Sequence, residues 1–97
     1  MTDHYKGIAA RGQRFCVFIK ANGQYISMGV YDSADEAAMV YNLAVCAYKD
    51  ASAYMNPVPV ALPDGRMIGD VFRAMKPRFR ERLLKVIHAS AAKQRAE

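Results

Sequence analysis

Apolar and polar positions alternate first along Arg14-Phe15-Cys16-Val17-Phe18-Ile19-Lys20. Phe15, Val17 and Ile19 take one side of an extended chain, and Cys16, Phe18 and Lys20 take the other, which predicts a β-strand. The strand runs into Ala21-Asn22-Gly23-Gln24, whose Asn-Gly pair accepts positive φ at low cost and predicts a tight hairpin. A return strand, Gln24 to Tyr31, sets Ile26 and Met28 against Tyr25 and Ser27. Upstream, Tyr5 to Arg11 reads as a shorter third strand ending near Gly12, so the first third is expected to be an antiparallel meander closed by Gly29 and Asp32.

The period then changes. Ser33-Ala34-Asp35-Glu36 has the form of a capping box, in which the serine hydroxyl serves one orphan N–H and the glutamate reaches back to another. In the helix that follows, Ala37, Ala38, Tyr41, Ala44, Val45 and Tyr48 share one face, built mostly of small side chains that allow close approach to a sheet. Met39, Val40, Leu43, Cys46 and Ala47 form a second apolar arc, leaving a narrow polar wedge at Asn42 and Lys49. Both arcs require cover, and the C-terminal third is the expected source.

From Ala51 to Gly65, Pro57, Pro59 and Pro63 rule out a helix and predict an extended connection ending in an Asp64-Gly65 turn. Met67 to Met75 fits a short helix. Pro77 suits the first turn of a longer one, where its missing N–H would be unpaired anyway. On that helix Phe79, Leu83, Val86 and Ile87 form an apolar stripe, with Arg78, Arg82, Lys85 and Lys93 opposite. The expected fold class is α+β: a three-stranded antiparallel sheet packed on one helix, with a C-terminal helical segment covering that helix or a partner. One folding unit over residues 1–97 is expected, comprising sheet and helix (5–56), a proline-rich connection (57–66) and basic C-terminal helices (67–95).

Charge is distributed unevenly. Residues 1–65 carry five Lys or Arg against six acids, a balance of −1, whereas residues 66–97 carry nine against three, +6. A basic segment of this kind concentrates polyanions and speeds association with them, and it is also the ordinary composition of a solvated helix face. No stretch approaches the roughly 20 apolar residues that cross a bilayer, and MTDHYKG lacks a signal layout, so a cytoplasmic setting and no membrane partner are expected. Cys16 and Cys46 sit in apolar runs without Cys or His at metal-ligand spacing and are expected to be buried free thiols. His4 and His88 are far apart, and no phosphate loop or nucleophile–base set is visible. Asp35 and Glu36 are explained by a helix N-terminus rather than as a catalytic pair. The expectation is a non-enzyme without metal or cofactor.

The stretch from Tyr5 to Asn56 resembles the APETALA/ethylene-response-factor type of DNA-binding domain. The resemblance is carried by Tyr5-Lys6-Gly7-Ile8, Gly29-Val30-Tyr31-Asp32, Glu36-Ala37-Ala38, Tyr41-Asn42, Ala44 and the closing Asn56, and it covers about half of the chain. It implies a stand-alone bacterial or phage-like form, acting in the cytoplasm of a bacterial or phage-infected cell. In that family the outward face of the sheet enters the major groove. By position, the groove-facing residues would be Lys6, Ala9, Arg11, Phe18, Lys20, Tyr25 and Ser27, with Arg14 near a basic position in the first turn. The family usually has arginine at Ala9, an acid at Phe18 and tryptophan at Ser27, and this chain contains no tryptophan.

An antiparallel ribbon fits the major groove, and Lys or Arg can reach phosphates or guanine edges from it. The expected function is therefore a sequence-preferring double-stranded DNA-binding protein, a small transcriptional regulator, with secondary phosphate contacts from Arg78, Arg82 and Lys85. The alternative is a protein-binding module using the same face or the C-terminal helix. A phage-type inhibitor of a host nucleic-acid-handling complex, in an anti-defence or anti-CRISPR role, would be of that kind. Phe18 and Tyr25 suit either reading, touching thymine methyls and sugars or anchoring a protein interface. A homodimer through the C-terminal helices would hold two sheets at fixed spacing.

Overall fold

The computed structural model describes residues 5–21, 23–49 and 53–95, with side chains described as far as residue 89. The fold is α+β, as the periodicity predicts: β1 (Ile8–Arg11), β2 (Arg14–Ala21), β3 (Gln24–Tyr31), α1 (Ala34–Tyr48), α2 (Ile68–Ala74) and α3 (Pro77–Arg95). The three strands form an antiparallel sheet in the order β1-β2-β3. Ala21 pairs with Gln24 across the hairpin, where Gly23 has φ 78°; the Asn22 half of that expected turn lies outside the described residues.

The one break in the ladder lies where the sequence suggests a closing turn. Cys16 pairs with Val30 and Phe18 with Ser27, so Val17 faces two residues of β3, Met28 and Gly29. This is a β-bulge, and Gly29 supplies its positive φ of 103°. Gly29 therefore lies inside β3 rather than ending the sheet, and the extra residue leaves Met28 and Gly29 both buried. The cover over Gly29 is Phe79 of α3, whose ring would stand 3.0 Å from an added Cβ.

Helix α1 lies on the inner face of the sheet. Val17, Ile19 and Met28 are fully buried together with Ala37, Val40, Ala44 and Val45, each larger side chain contributing about 1.5–3 kcal/mol by leaving water. Cys16 has the outward parity of β2 but is also buried, flanked in the ladder by Ala9 and Val30. On its other side α1 meets α2 and α3, so the C-terminal third supplies the cover that its second arc requires. Val71, Met75, Phe79 and Leu83 join the same core.

That cover is incomplete at both ends. Cys46 is exposed, correcting the expectation of two buried thiols, because the cover reaches Met39 and Val40 fully and Leu43 and Ala47 only in part. On α3 the inward stripe stops at half-buried Val86, and Ile87 is 42% exposed.

The expected polar wedge of α1 is not a solvent face either. Asn42 is buried and clasps Asn56 from the proline-rich connection: its Nδ2 donates to the Asn56 carbonyl at 2.9 Å, and its Oδ1 accepts from the Asn56 N–H at 2.8 Å. Asn56 in turn brackets Lys6, its Oδ1 accepting from the Lys6 N–H at 2.8 Å and its Nδ2 donating to the Lys6 carbonyl at 3.0 Å. Two buried amides thus satisfy four backbone groups and tie the chain ahead of β1 to α1 and to the connection. Next to the clasp, Gly7 has φ 79°, and any Cβ there would overlap the Tyr41 ring.

At the start of α1 only half of the expected capping box forms. The Ser33 hydroxyl accepts from the Glu36 N–H at 3.1 Å, whereas the Glu36 carboxylate accepts from Arg66 Nη1 at 3.0 Å. A charged donor outbids a backbone N–H, and the bond fixes the connection to the helix start. The neighbouring Asp35 accepts from the Tyr5 hydroxyl at 2.6 Å. The Asp64-Gly65 turn is present, closed by the Gly65 N–H to Leu62 carbonyl bond at 2.8 Å. The Arg66 N–H and guanidinium hold the Asp64 carboxyl below its usual range.

Candidate nucleic-acid interface

The outward face of the sheet follows directly from the register. Arg11 pairs with Arg14, Ala9 with Cys16, Phe18 with Ser27 and Lys20 with Tyr25, so these side chains share one face and all but Cys16 are exposed. Phe18 is 38% exposed and Tyr25 73%, amounts that leave both rings available to a ligand. Lys20 Nζ sits 5.6 Å from the centre of the Tyr25 ring, a cation–π contact worth about 0.5–1 kcal/mol at an exposed site. Lys6, held by its backbone in the asparagine clasp, carries its Nζ 5.8 Å over the Tyr54 ring.

Arg14 is less free than its position in the sequence suggests. Its Nε donates to Asp32 Oδ1 at 3.1 Å, and its Nη2 donates to the Val30 carbonyl at 3.4 Å. Both side chains of the ion pair are largely in water, so the pair contributes little to stability. Among the described residues Lys6, Arg11 and Lys20 have no acidic partner within ion-pair distance.

Helix α3 runs beside the β3 edge of this face. Arg82 Nη1 donates to the Ser27 carbonyl at 3.1 Å, bonding an acceptor of the edge strand. The Arg78 and Arg82 guanidinium carbons lie 4.6 Å and 5.9 Å from the centre of the Phe79 ring. Arg82, exposed like the rest of its line, is thus also a tether between α3 and β3. Lys85 stands with it along a groove shared with Tyr25 and Ser27. The side chain of Lys93 and the residue His4 lie outside the described residues, and His88 is exposed.

The structure thus brings Arg11, Arg14, Phe18, Lys20, Tyr25 and Ser27 onto one face, with Arg78, Arg82 and Lys85 along its β3 side. Sequence reasoning missed two residues here. Lys76 precedes Pro77 in the corner between α2 and α3, where no helical period places it, and it joins Arg11, Arg14 and Arg78 around one cleft. Tyr54, the platform under Lys6, lies in an irregular stretch whose contacts leave no periodic signal.

Among the described residues no group of three or more His, Cys, Asp or Glu is arranged to hold a metal ion, and no helix is long and apolar enough to cross a membrane. The shifted phenols serve the frame rather than the face. The bond to Asp35 pushes Tyr5 up to about 12, and burial, with Glu36 nearby, pushes Tyr31 up to about 12. No protein-family model and no curated protein matches the chain.

Proposed function

We propose that the protein binds double-stranded DNA by setting the outward face of β1–β3 into the major groove, as a small transcriptional regulator. The observation that carries this reading is a single exposed sheet face bearing Arg11 and Lys20 without acidic partners among the described residues, beside exposed Phe18 and Tyr25. An antiparallel ribbon fits the major groove, and its outward cations can reach phosphates and base edges. Arg78 and Lys85, on the helix tethered to the β3 edge by Arg82, would grip phosphates flanking the groove. The resemblance to the APETALA/ethylene-response-factor domain points the same way. Ala9, Phe18 and Ser27 give this chain base contacts unlike those usual in that family.

One observation favours a second reading. Phe18 and Tyr25 form an adjacent exposed aromatic pair of the sort that anchors protein interfaces, and on that account the same face would hold a host protein in an inhibitory complex. Salt separates the two. Binding through roughly four phosphate contacts falls about 10²-fold between ~50 and ~200 mM salt, and Lys20→Ala lowers the logarithmic salt slope by about one. Duplex binding with no salt dependence, or unchanged in Lys20→Ala and Arg11→Ala alike, would refute the DNA reading.

A further inference from the structure

We propose that the cleft between the Gly12 end of the sheet and the α2–α3 corner is a phosphate-binding site that adjoins the groove-facing surface, sharing Arg11 and Arg14 with it and adding Lys76 and Arg78. The cleft, of ≈ 480 Å³, is lined by four cationic side chains, Arg11, Arg14, Lys76 and Arg78, which arrive from regions more than sixty positions apart in the chain. Its two carboxylates are already engaged: Asp32 accepts from Arg14 and Glu36 from Arg66. Among the described residues Arg11, Lys76 and Arg78 have no acidic partner, so the cleft holds an excess of positive charge.

Two details argue against an incidental crowding of surface cations. Arg11 and Arg14 are directly paired across the β1–β2 ladder, so two guanidinium groups meet at the rim with one carboxylate, Asp32, which is held by Arg14. Arg78 lies 4.6 Å over the Phe79 ring, itself buried against the Gly29 bulge, so its guanidinium is held at the rim instead of ranging through solvent. A tetrahedral oxyanion offers several acceptors at once to guanidinium forks, which is the chemistry such a group of side chains recognises. The phosphate could belong to a DNA strand leaving the groove or to a small organic phosphate. Only in the first case does the inference rest on the sheet-face reading.

The test uses the full chain, with inorganic pyrophosphate and random-sequence duplex DNA as probes. Lys76→Ala/Arg78→Ala changes two exposed side chains, and Lys49→Ala, at the C-terminal end of α1, is the control. With pyrophosphate, the amide resonances of Val30, Ala74 and Arg78 are expected to move saturably, with affinity at least about tenfold weaker in the double variant and unchanged in the control. With DNA, the logarithmic salt slope is expected to drop by about 1.8, or 0.9 for each lost phosphate contact. A changed slope without pyrophosphate binding assigns the phosphate to the DNA backbone. Pyrophosphate binding by a chain that ignores DNA supports the cleft and sinks the sheet-face reading. DNA binding with a wild-type slope in the double variant, together with no saturable pyrophosphate shifts, overturns the cleft and the flanking grip of Arg78, and leaves the sheet face standing.

Discussion

On the inner face of the sheet Val17, Ile19 and Met28 have no exposed surface, whereas Phe18 and Lys20, one position away on β2, and Tyr25 on β3 are exposed. The same backbone ladder thus carries two surfaces with different duties. The inner one is fixed by packing against α1, where any lost methylene leaves a void. The outer one contributes little to folding, so its residues are free to be chosen for what they touch.

The largest expected effects fall on the inner face and on its buried ties. Ile19→Ala should cost about 4 kcal/mol, measured as a lower urea midpoint at constant m-value, because the site lies between α1 and the sheet and cannot collapse. Asn42→Ala should follow at about 2–3 kcal/mol, since it leaves the buried N–H and carbonyl of Asn56 without partners. Equal losses at Ile19 and Lys20 would erase the contrast between the faces.

Next in size is an alkaline loss. Tyr5 and Tyr31 hold their protons up to about 12 in the folded chain, against an ordinary value of 10.0. The unfolded chain therefore deprotonates first, and this part of the stability, complete below pH 10, disappears as pH rises from 10 toward 12. Urea midpoints across that window should fall, and less steeply in Tyr31→Phe. A flat profile would contradict the proton-holding state of these phenols, bonded to Asp35 at Tyr5 and withdrawn from water at Tyr31.

The smallest effects are expected outside: Lys20→Ala and Phe18→Ala should alter stability by about 1 kcal/mol or less, well below the loss at Ile19, measured by the same unfolding transition. Weakened DNA binding at unchanged stability would sharpen the division of labour between the faces.

Much of this division is legible in the sequence because it depends on period. Alternation along Phe15–Lys20 and Gln24–Ser27 gives the faces, and the small residues of α1 identify the side it covers. What period does not carry is pairing at a distance. Gly29 reads as a turn because a glycine in a bulge looks locally like a glycine at a strand end, and only the register separates them. Asn42 reads as a solvent wedge because its partner, Asn56, lies across a stretch of chain with no repeat. Glu36 fits a capping box until Arg66 competes for it from thirty residues away. At the candidate site, the face was readable but the edge was not: Arg82 as a tether to β3 and Lys76 in the cleft both depend on how α3 docks.

The most direct measurement is an amide chemical-shift map of the protein titrated with duplex DNA at low salt. The account predicts saturable shifts concentrated at Arg11, Phe18, Lys20 and Tyr25 and along the first turns of α3. Shifts confined to the other exposed apolar positions, Val60, Met67 and Ile68 around the connection, with the sheet silent, would contradict it.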